Sequence, residues 1–351
     1  MDKKYIQRLK NIEAELNRWL PANIESCIAK TPWMKNVFPG LGKEISELLY
    51  DALLAPLSDM LSRGGKRWRP LLMTLVCETL GGGDSALPLV PLVEFCHTAS
   101  LIHDDIEDDS AERRGKAAVH NIYGIDTAIN SGSFFYFLST CCINSFDGKN
   151  KERIFRLWTE YMRKLHLGQA MDIYWHKDIK FIPRIEDYYT MCGMKTGSLA
   201  RFAAELGVYT AGASAKATRQ LGEAAEKLGI GFQILDDVKN LTTGIQGKKR
   251  GDDISEGKKS LPVLLYMHKY PEKRKKIFYC FYEAKRNGTS VPEVEEMIKI
   301  LTDAGVFTEA EEKARSLINE SRGIFNSPQY AGFPAKKEGR ALLDGLIDLI
   351  S

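Results

Sequence analysis

The sequence lacks long apolar runs and has no large excess of charge of one sign. No stretch reaches the roughly 18 apolar residues that a membrane-spanning helix requires, and the N-terminus has no apolar segment typical of a secretory signal. The 49 Lys and Arg residues against 46 Asp and Glu leave a formal charge of +3, which is not the basic excess of a nucleic-acid binder. We therefore expect neither a membrane span nor a nucleic-acid partner.

Cysteine pairs typical of metal sites are also missing. The seven cysteines include no CxxC pair and no zinc-like spacing. An odd number of scattered thiols is typical of a reduced intracellular protein, so we expect a cytoplasmic location and interpret the cysteines as core residues. A hydrophobic content of 44% excludes wholesale disorder.

Strand signals are nearly absent, and most of the chain has the apolar period of helices. Apolar residues recur at three- and four-residue steps in Glu44–Leu61, Leu71–Leu80, Val90–Ile106, Ile154–Leu167, Ala215–Leu235 and Val294–Leu301. No long Pro-, Gly- or Ser-rich linker interrupts the chain. The sequence predicts one all-α domain over residues 1–351, with about ten or more helices.

The most informative segment is acidic. Five of the six residues from 104 to 109 are Asp or Glu. On a helix, Asp104 and Asp108 lie one turn apart on one face, where like charges are destabilising unless a cation lies between them. Carboxylates in this arrangement suit Mg²⁺, which also bridges to substrate phosphates. Taken alone, the segment is equally consistent with a solvated acidic helix end.

A second acidic pair favours the metal interpretation. Asp236 and Asp237 again follow an apolar helical stretch, Leu228–Leu235. Two such pairs, each at the polar end of an apolar helix, can face one another across a cavity and hold metal ions between them. We expect this arrangement.

Four basic segments accompany the acidic pairs. They are Gly64–Pro70, Arg113-Arg114, Lys195-Thr196 and residues 247–259. Each one alone is typical of a solvated charge run, but Arg and Lys are also the usual phosphate-binding residues. Acidic pairs and basic segments in a helical chain together indicate a pocket for a ligand with a diphosphate head and an apolar tail.

These motifs, in this order, resemble those of the trans-isoprenyl diphosphate synthases (polyprenyl synthetases). The resemblance covers residues 64–262 and rests on Gly65-Lys66-x-x-Arg69-Pro70, Asp104-Asp105-x-x-Asp108 with Arg113-Arg114-Gly115, Gly168-Gln169-x-x-Asp172, Lys195-Thr196-Gly197, Phe232-Gln233-x-x-Asp236-Asp237 and Gly247–Lys258. The likeness is greatest to geranylgeranyl diphosphate synthases of the eukaryotic type, which share the segments Ala99–Asp108 and Gly168–Trp175. That subgroup also has asparagine where the wider family has a third aspartate, here Asn240. The resemblance implies the isoprenoid synthase fold, an all-α bundle around a central substrate cavity.

The resemblance also implies a role for each matching residue. Asp104, Asp108 and Asp236 would bind about three Mg²⁺ ions per site, with Asp105 and Asp237 in support, and these five aspartates with Lys195 form the implied catalytic set. The diphosphate of isopentenyl diphosphate would be bound by Lys66, Arg69, His97 and Arg114. The allylic diphosphate would be bound by Arg113, Lys195, Thr196, Gln233, Lys248 and Lys258. The register is open between Lys248 and Lys249.

The sequence offers a structural alternative for one of these assignments. A core histidine is the alternative for His97, although its position seven residues before Asp104, two helical turns away, favours the site. Ala99 and Ser100 lie about one turn before Asp104. The resemblance implies that synthases whose product stops at fifteen carbons have aromatic side chains at these positions, which block the channel. Small side chains here predict an open channel and a twenty-carbon product.

The implied reaction is head-to-tail prenyl transfer from dimethylallyl, geranyl or farnesyl diphosphate to isopentenyl diphosphate. A synthase of longer or shorter chains is the nearest alternative. A terpene cyclase would not need an isopentenyl diphosphate site, so Lys66, Arg69 and Arg114 argue against it. A silent regulatory subunit should have lost aspartates, and an acidic metal-binding interaction module does not require the basic motifs. The resemblance implies a homodimer or a larger homo-oligomer.

Overall fold

The structure is a computed structural model that describes residues 3–27, 31–41, 46–148, 151–244 and 249–351. Eighteen α-helices dominate these residues, which confirms the predicted all-α class. They are α1 (Lys3–Trp19), α2 (Pro32–Val37), α3 (Glu47–Leu53), α4 (Ala55–Ser62), α5 (Trp68–Thr79), α6 (Val90–Glu107), α7 (Val119–Tyr123), α8 (Ile125–Asn144), α9 (Lys151–Lys177), α10 (Ile185–Cys192), α11 (Ser198–Thr210), α12 (Ala215–Leu241), α13 (Asp252–Glu256), α14 (Leu261–Lys269), α15 (Arg274–Asn287), α16 (Pro292–Asp303), α17 (Val306–Phe325) and α18 (Lys337–Ile350).

Shorter elements connect these helices. Three 3₁₀ turns are formed by Ile24–Cys27, Leu87–Leu89 and Pro271–Lys273, and a π-helical turn by Gly193–Gly197. The strands are β1 (Glu112–Arg113), β2 (Lys116–Ala117), β3 (Gln329–Tyr330) and β4 (Phe333–Pro334). No helix in the described part of the chain is long and apolar enough to cross a membrane.

The chain forms two compact units. Unit 1 comprises Met1–Thr159, Phe202–Thr218 and Gly332–Gly339, and unit 2 comprises Glu160–Arg201, Arg219–Ala331 and Arg340–Ser351. The single domain expected from the sequence stays a prediction.

Helices α6 and α8 form the centre of unit 1. Phe95 of α6 and Phe135 of α8 are fully buried, and their rings stack with centroids 4.4 Å apart. Immediately before the acidic segment, the ring of His103 lies against Gly132 of α8, where a Cβ atom would come within 2.7 Å of it. Glycine at 132 therefore permits the close approach of the two helices and anchors the end of α6 that carries the first acidic cluster.

The single helix predicted over Glu44–Leu61 is divided into α3 and α4. Pro56 has no N–H and cannot donate to the carbonyl of Ala52, one turn earlier. That carbonyl instead accepts a hydrogen bond from the Ser131 hydroxyl on α8 at 3.3 Å. The break therefore has a local cause, and the neighbouring helix satisfies the carbonyl that the break leaves. Glu44 itself lies outside the described residues.

In unit 2, α12 extends beyond the predicted end at Leu235. The buried residues Ile234, Val238 and Leu241 continue its apolar face for almost two more turns. The second aspartate pair therefore lies within the helix, whereas the sequence placed it at the helix end. The difference arises because the polar residues Asp236 and Asp237 interrupt the apolar run but not its helical period.

Candidate active site

In unit 1 the Arg-Arg-Gly motif lies on a β-hairpin. β1 and β2 pair antiparallel, with Arg113 opposite Lys116. The two turn residues, Arg114 and Gly115, have φ angles of 54° and 76°. Positive φ at both positions is what a two-residue type I′ turn requires, and glycine supplies it without strain at the second position. The turn sends Arg113 and Arg114 to different partners.

Arg113 is bound to the first acidic cluster. Its Nε donates to Oδ1 of Asp105 at 2.7 Å, its Nη2 donates to the same oxygen, and Nη2 also lies 3.6 Å from Oδ2 of Asp104. Burial lowers the pKa of Arg113, but the charges of Asp105 and Asp104 outweigh this and raise it, so the guanidinium stays charged. The fully buried Asp105 thus fixes and neutralises a cation beside Asp104.

Arg114 is hydrogen-bonded to the backbone next to the Gly-Lys motif. Its Nη1 donates to the carbonyl of Gly64. A Cβ atom on Gly65 would lie 2.8 Å from Nη2 of Arg114, and Gly65 also has a φ of +137°. Glycine at 65 suits the backbone conformation, which other residues rarely adopt, and leaves the Arg114 guanidinium in its place. Two motifs that are 50 residues apart in sequence therefore form one structure.

His97 lies among these arginines. Its Nε2 is 3.3 Å from Nη1 of Arg69, whose guanidinium carbon stands 4.4 Å from the centre of the Trp68 ring. Arginine can only donate, so Nε2 of His97 accepts and Nδ1 carries the proton. Burial lowers the pKa of His97 well below its usual range, and the charges of Arg69 and Arg114 lower it further. His97 is therefore a neutral residue between cations. Lys66, three residues before Arg69 in the sequence, is exposed.

Arg67 is a residue whose role the sequence did not reveal. It is buried, and its guanidinium lies 2.7 Å from both Glu13 and Glu94 and donates to the carbonyl of Leu61 at 2.7 Å. The sequence placed it in the basic segment Gly64–Pro70, interpreted as phosphate-binding, and did not single it out. The available signal was Glu94, an acid within the apolar part of α6, because a buried charge needs a partner. Arg67 fixes the start of α5, next to Lys66 and Arg69.

In unit 2, Lys195 and Thr196 occupy the π-helical turn between α10 and α11. Such turns widen the helix locally and are frequent at functional sites. Gly168 of α9 touches this turn so closely that a Cβ atom would be 2.4 Å from the backbone nitrogen of Lys195. Asp172, one helical turn after Gly168, then reaches Nζ of Lys195 at 2.7 Å. The Gly-Gln-x-x-Asp motif therefore positions Lys195.

A chain of hydrogen bonds connects the same turn to α12. The Thr196 hydroxyl donates to Oε1 of Gln233 at 2.8 Å, and Nε2 of Gln233 donates to Oδ1 of Asp237 at 2.9 Å. Tyr188, which the sequence did not single out, donates to the other oxygen of Asp237 at 2.6 Å. Burial raises the pKa of Asp237 to about 6, although both donors act to lower it. Asp237 thus holds Gln233 and Thr196 in place.

Lys258 follows α13. Its Nζ lies 2.5 Å from Oε2 of Glu256 and 3.9 Å from Oδ1 of Asp253. Lys248 lies outside the described residues. Its alternative in register, Lys249, is exposed and donates its backbone N–H to Asp252 at 2.7 Å.

Asn240 anchors the chain just before Lys258. It is buried, and its carbonyl and its side-chain oxygen accept from the backbone N–H groups of Gly251 and Asp253, at 3.1 Å and 3.3 Å. Asparagine at this position therefore connects α12 to α13.

The three predicted magnesium ligands are partly exposed aspartates. Asp104 lies in the last turn of α6, Asp108 ends that helix with a hydrogen bond to the Asp104 carbonyl at 2.9 Å, and Asp236 lies on α12. Among the described residues no three His, Cys, Asp or Glu side chains converge into a ligand set. Sparse carboxylates fit Mg²⁺, which binds one or two of them and completes its shell with water and phosphate.

The two predicted channel residues are small side chains packed along α6. Ala99 is fully buried, and its carbonyl lies 3.0 Å from Nδ1 of His103. Ser100 is half-buried, and its hydroxyl donates to the carbonyl of His97 at 2.8 Å.

Comparison with known proteins identifies the family. The polyprenyl synthetase family model matches residues 50–301. This chain belongs to the polyprenyl synthetase family. It is 38% identical to a geranylgeranyl pyrophosphate synthase of Penicillium janthinellum over 62% of this chain and 58% of that protein. It is 30% identical to a geranylfarnesyl diphosphate synthase of Aeropyrum pernix over 83% of this chain and 92% of that one.

Solved structures agree with this assignment. The geranylgeranyl pyrophosphate synthetase of Pyrococcus horikoshii superposes with a TM-score of 0.77 and 27% identity, covering 98% of this chain and 95% of the other. The predicted family, fold and enzyme class are therefore confirmed: the polyprenyl synthetase described here is a trans-isoprenyl diphosphate synthase.

Proposed function

We propose that this prenyltransferase condenses isopentenyl diphosphate head to tail with an allylic diphosphate and releases the twenty-carbon geranylgeranyl diphosphate. The observation that carries the proposal is that each of the two units contains its own group of cations. In unit 1, Arg69 and Arg114 lie around neutral His97, and Lys66 belongs to the same Gly-Lys motif as Arg69. Unit 2 contains Lys195 and Lys258. A reaction between two diphosphates needs two anion sites, whereas a cyclase acts on one.

We assign the first group to isopentenyl diphosphate. The arginine fork binds phosphate oxygens in pairs, so Arg69 and Arg114 supply direction as well as charge. Arg114 is held by Gly64, and Arg69 is held between Trp68 and His97. A neutral His97 adds no repulsion to this crowded set of cations and retains its Nδ1–H as a donor.

We assign the second group, with Arg113, Thr196, Gln233 and Lys248, to the allylic diphosphate. Lys195 is fixed by Asp172 at 2.7 Å and Arg113 by Asp105 at 2.7 Å. Cations whose positions are fixed before the substrate arrives stabilise charge that develops on the leaving diphosphate without further reorganisation.

The polyprenyl synthetase family is magnesium-dependent. We assign Asp104, Asp108 and Asp236 as the ligands of about three ions. When bound, Mg²⁺ supplies positive charge that stabilises the departing diphosphate. Asp105 and Asp237 act in support, because the first fixes Arg113 beside Asp104 and the second fixes Gln233.

The proposed reaction needs no nucleophilic side chain from the protein. The allylic C–O bond breaks, and its electron pair leaves with the diphosphate that Lys195 and Lys258 hold. The double bond of isopentenyl diphosphate attacks the allylic carbon, and a proton is then lost to form the new double bond. We assign the departing diphosphate as the acceptor of that proton.

The size of Ala99 and Ser100 supports a twenty-carbon product. Both side chains are small and lie about one turn before Asp104, and the Ser100 hydroxyl is bonded within α6. The geranylfarnesyl synthase among the relatives makes a longer product the closest alternative. Incubation with Mg²⁺, isopentenyl diphosphate and each allylic starter, followed by chromatography of the products, tests the proposal. Twenty carbons are expected, and a product of fifteen or twenty-five carbons would contradict it.

We also propose that the enzyme is a homodimer or larger homo-oligomer. Ile122 of α7 and Ile125 and Ile129 of α8 lie within eight residues of sequence and are 48%, 56% and 46% exposed. Contiguous exposed apolar side chains are typical of an interface. Light scattering during size-exclusion chromatography measures the mass. A monomer at micromolar concentration would contradict this proposal.

A cytoplasmic location remains part of the proposal. All seven cysteines are free thiols, and six of them are buried. Such thiols are typical of proteins in a reducing compartment.

A further inference from the structure

Lys259 is a cation that the protein buries almost completely. It ends the basic run 247–259, which the sequence alone makes typical of a solvated surface. Lys259 is nevertheless only 2% exposed. An ammonium group loses favourable hydration on burial, so a lysine is retained at such a place only with compensating contacts.

Two contacts hold the ammonium group of Lys259. Its Nζ donates to the carbonyl of Gly257 at 2.9 Å and lies 4.5 Å from the centre of the Phe281 ring on α15. The first contact satisfies one N–H, and the second is a cation–π interaction, which is strongest when the cation is desolvated. Lys259 therefore connects α15 to the turn that precedes Lys258.

The peptide between Gly257 and Lys258 is bonded at both ends. Its carbonyl, from Gly257, accepts from Lys259, and its N–H, from Lys258, donates to the carbonyl of Asp253 at 2.8 Å. Gly257 has a φ of +81°, and a Cβ atom there would lie 3.1 Å from the carbonyl of His176. The turn is thus held against α9 on one side and by Lys259 on the other. A peptide fixed in this way sets the direction in which the Lys258 side chain leaves the backbone.

The charges around Lys259 come from three elements. On α9 and just after it are Asp172, His176 and Asp178, and α15 contributes Lys285, whose Nζ donates to the His176 carbonyl at 3.3 Å. Its own segment contributes Lys258 with Glu256 and Asp253. Burial and the charge of Lys285 lower the pKa of Lys259 to about 8, against the opposing effect of Asp178 and Asp172. Keeping the buried ammonium group of Lys259 charged is therefore destabilising, which indicates that this lysine has a role beyond packing.

We propose that Lys259 is a positioning residue for the allylic diphosphate: by fixing the Gly257–Lys258 peptide, it holds Lys258 in the direction needed to bind that diphosphate. The inference rests on the proposed function, which assigns Lys258 to the allylic diphosphate. It adds that a buried lysine, which does not itself touch substrate, sets the affinity of that site.

The test is the kinetics of Lys259→Met, which keeps the apolar length of the side chain and removes the ammonium group. We expect the KM for the allylic diphosphate to rise about tenfold, the scale of one lost hydrogen bond from a charged group. The KM for isopentenyl diphosphate should stay within about twofold, since no contact of Lys259 involves Arg69 or Arg114. If Lys259→Met does not fold, Lys259→Gln, which retains an N–H donor, should give a smaller rise in the same KM.

Lys285→Met is the matched control. It removes an exposed cation of the same group that does not bond to Gly257, and both KM values should stay near those of the original enzyme. Lys258→Met and the double variant Lys258→Met/Lys259→Met complete a double-mutant cycle with Lys259→Met and the original enzyme. If Lys259 acts through Lys258, the double variant should be no weaker for the allylic diphosphate than Lys258→Met alone.

The outcomes separate this inference from the function on which it rests. An allylic KM that rises in Lys258→Met but not in Lys259→Met overturns the positioning role and leaves the proposed function intact. Equal rises of both KM values, or effects that multiply in the double variant, also overturn it. An unchanged allylic KM in Lys258→Met overturns the assignment of Lys258 itself, and the positioning role with it.

Discussion

The carboxylate of Asp105 is fully buried against the guanidinium of Arg113, which donates to its Oδ1 from Nε at 2.7 Å. The second aspartate of the first motif therefore neutralises an arginine, while its neighbour Asp104 stays partly exposed. The adjacent residues Asp104 and Asp105 of one motif therefore have different environments. The distinction has a measurable consequence for stability.

Asp105→Asn should lower the free energy of unfolding by about 3 kcal/mol, because it leaves the buried guanidinium of Arg113 without its counter-charge. Urea denaturation followed by circular dichroism measures this change. Asp109→Asn is the control, since Asp109 is exposed and should change stability by less than about 0.5 kcal/mol. Equal stabilities of the two variants would show that the buried pair contributes nothing.

Gly65→Ala should weaken the binding of isopentenyl diphosphate. The added Cβ atom would lie 2.8 Å from Nη2 of Arg114, so the guanidinium must move away from Gly64. We expect the KM for isopentenyl diphosphate to rise about tenfold, with a much smaller change in the KM for the allylic diphosphate. Substrate-saturation kinetics for each diphosphate provide both values.

Gly64→Ala separates the steric effect from backbone strain. Gly64 has a φ of +76°, but nothing lies within 4 Å of a Cβ atom there. This variant should lose about 1 kcal/mol of stability from its left-handed conformation while retaining most of its affinity. Equal rises in the KM for isopentenyl diphosphate in both variants would mean that strain, and not the clash with Arg114, is responsible.

The sequence was sufficient to predict the helical class, because a helical period leaves a signal at short range. Helical periods repeat within one element, and the motifs place Lys195 and Asp172, or Arg113 and Asp105, on segments that the structure brings into contact. The β-hairpin at Arg114 left no such signal, since a strand of two residues is too short for an alternating pattern.

The burial of Arg67 and Lys259 could not be predicted from their basic runs alone, although Glu94 within an apolar helix indicated that some cation is buried. Both occur in basic runs, and whether a lysine or an arginine in such a run is solvated depends on partners that are distant in sequence. For Arg67 the partners are Glu13 and Glu94, and for Lys259 the ring of Phe281. Pairing over such separations follows from the tertiary fold and not from local pattern.

The buried ammonium of Lys259 also predicts how stability depends on pH. Its pKa is about 8 in the folded enzyme, against 10.5 for an ordinary lysine. Between these values the unfolded chain binds more protons, so the free energy of unfolding should rise with pH. Relative to Lys259→Met, the enzyme should gain roughly 3 kcal/mol from pH 8 to pH 10.5, and the difference should be constant below pH 8.

Urea denaturation of both proteins across this range measures the effect. The comparison is made with the methionine variant because tyrosines and other lysines titrate in the same interval and contribute equally to both proteins. A difference in stability that does not change between pH 8 and pH 10.5 would show that the ammonium group is not desolvated in the folded enzyme.

Ala99→Phe should shorten the product from twenty to fifteen carbons. Ala99 is fully buried about one turn before Asp104, and the phenyl ring would occupy the space proposed for the growing prenyl chain. Overpacking of a buried position costs about 1–3 kcal/mol, so the variant should remain folded but less stable. Chromatography of the products formed from isopentenyl diphosphate and geranyl diphosphate measures their length. If the variant retains its fold by circular dichroism and still releases a twenty-carbon product, Ala99 does not line the channel and the argument from its small size is wrong.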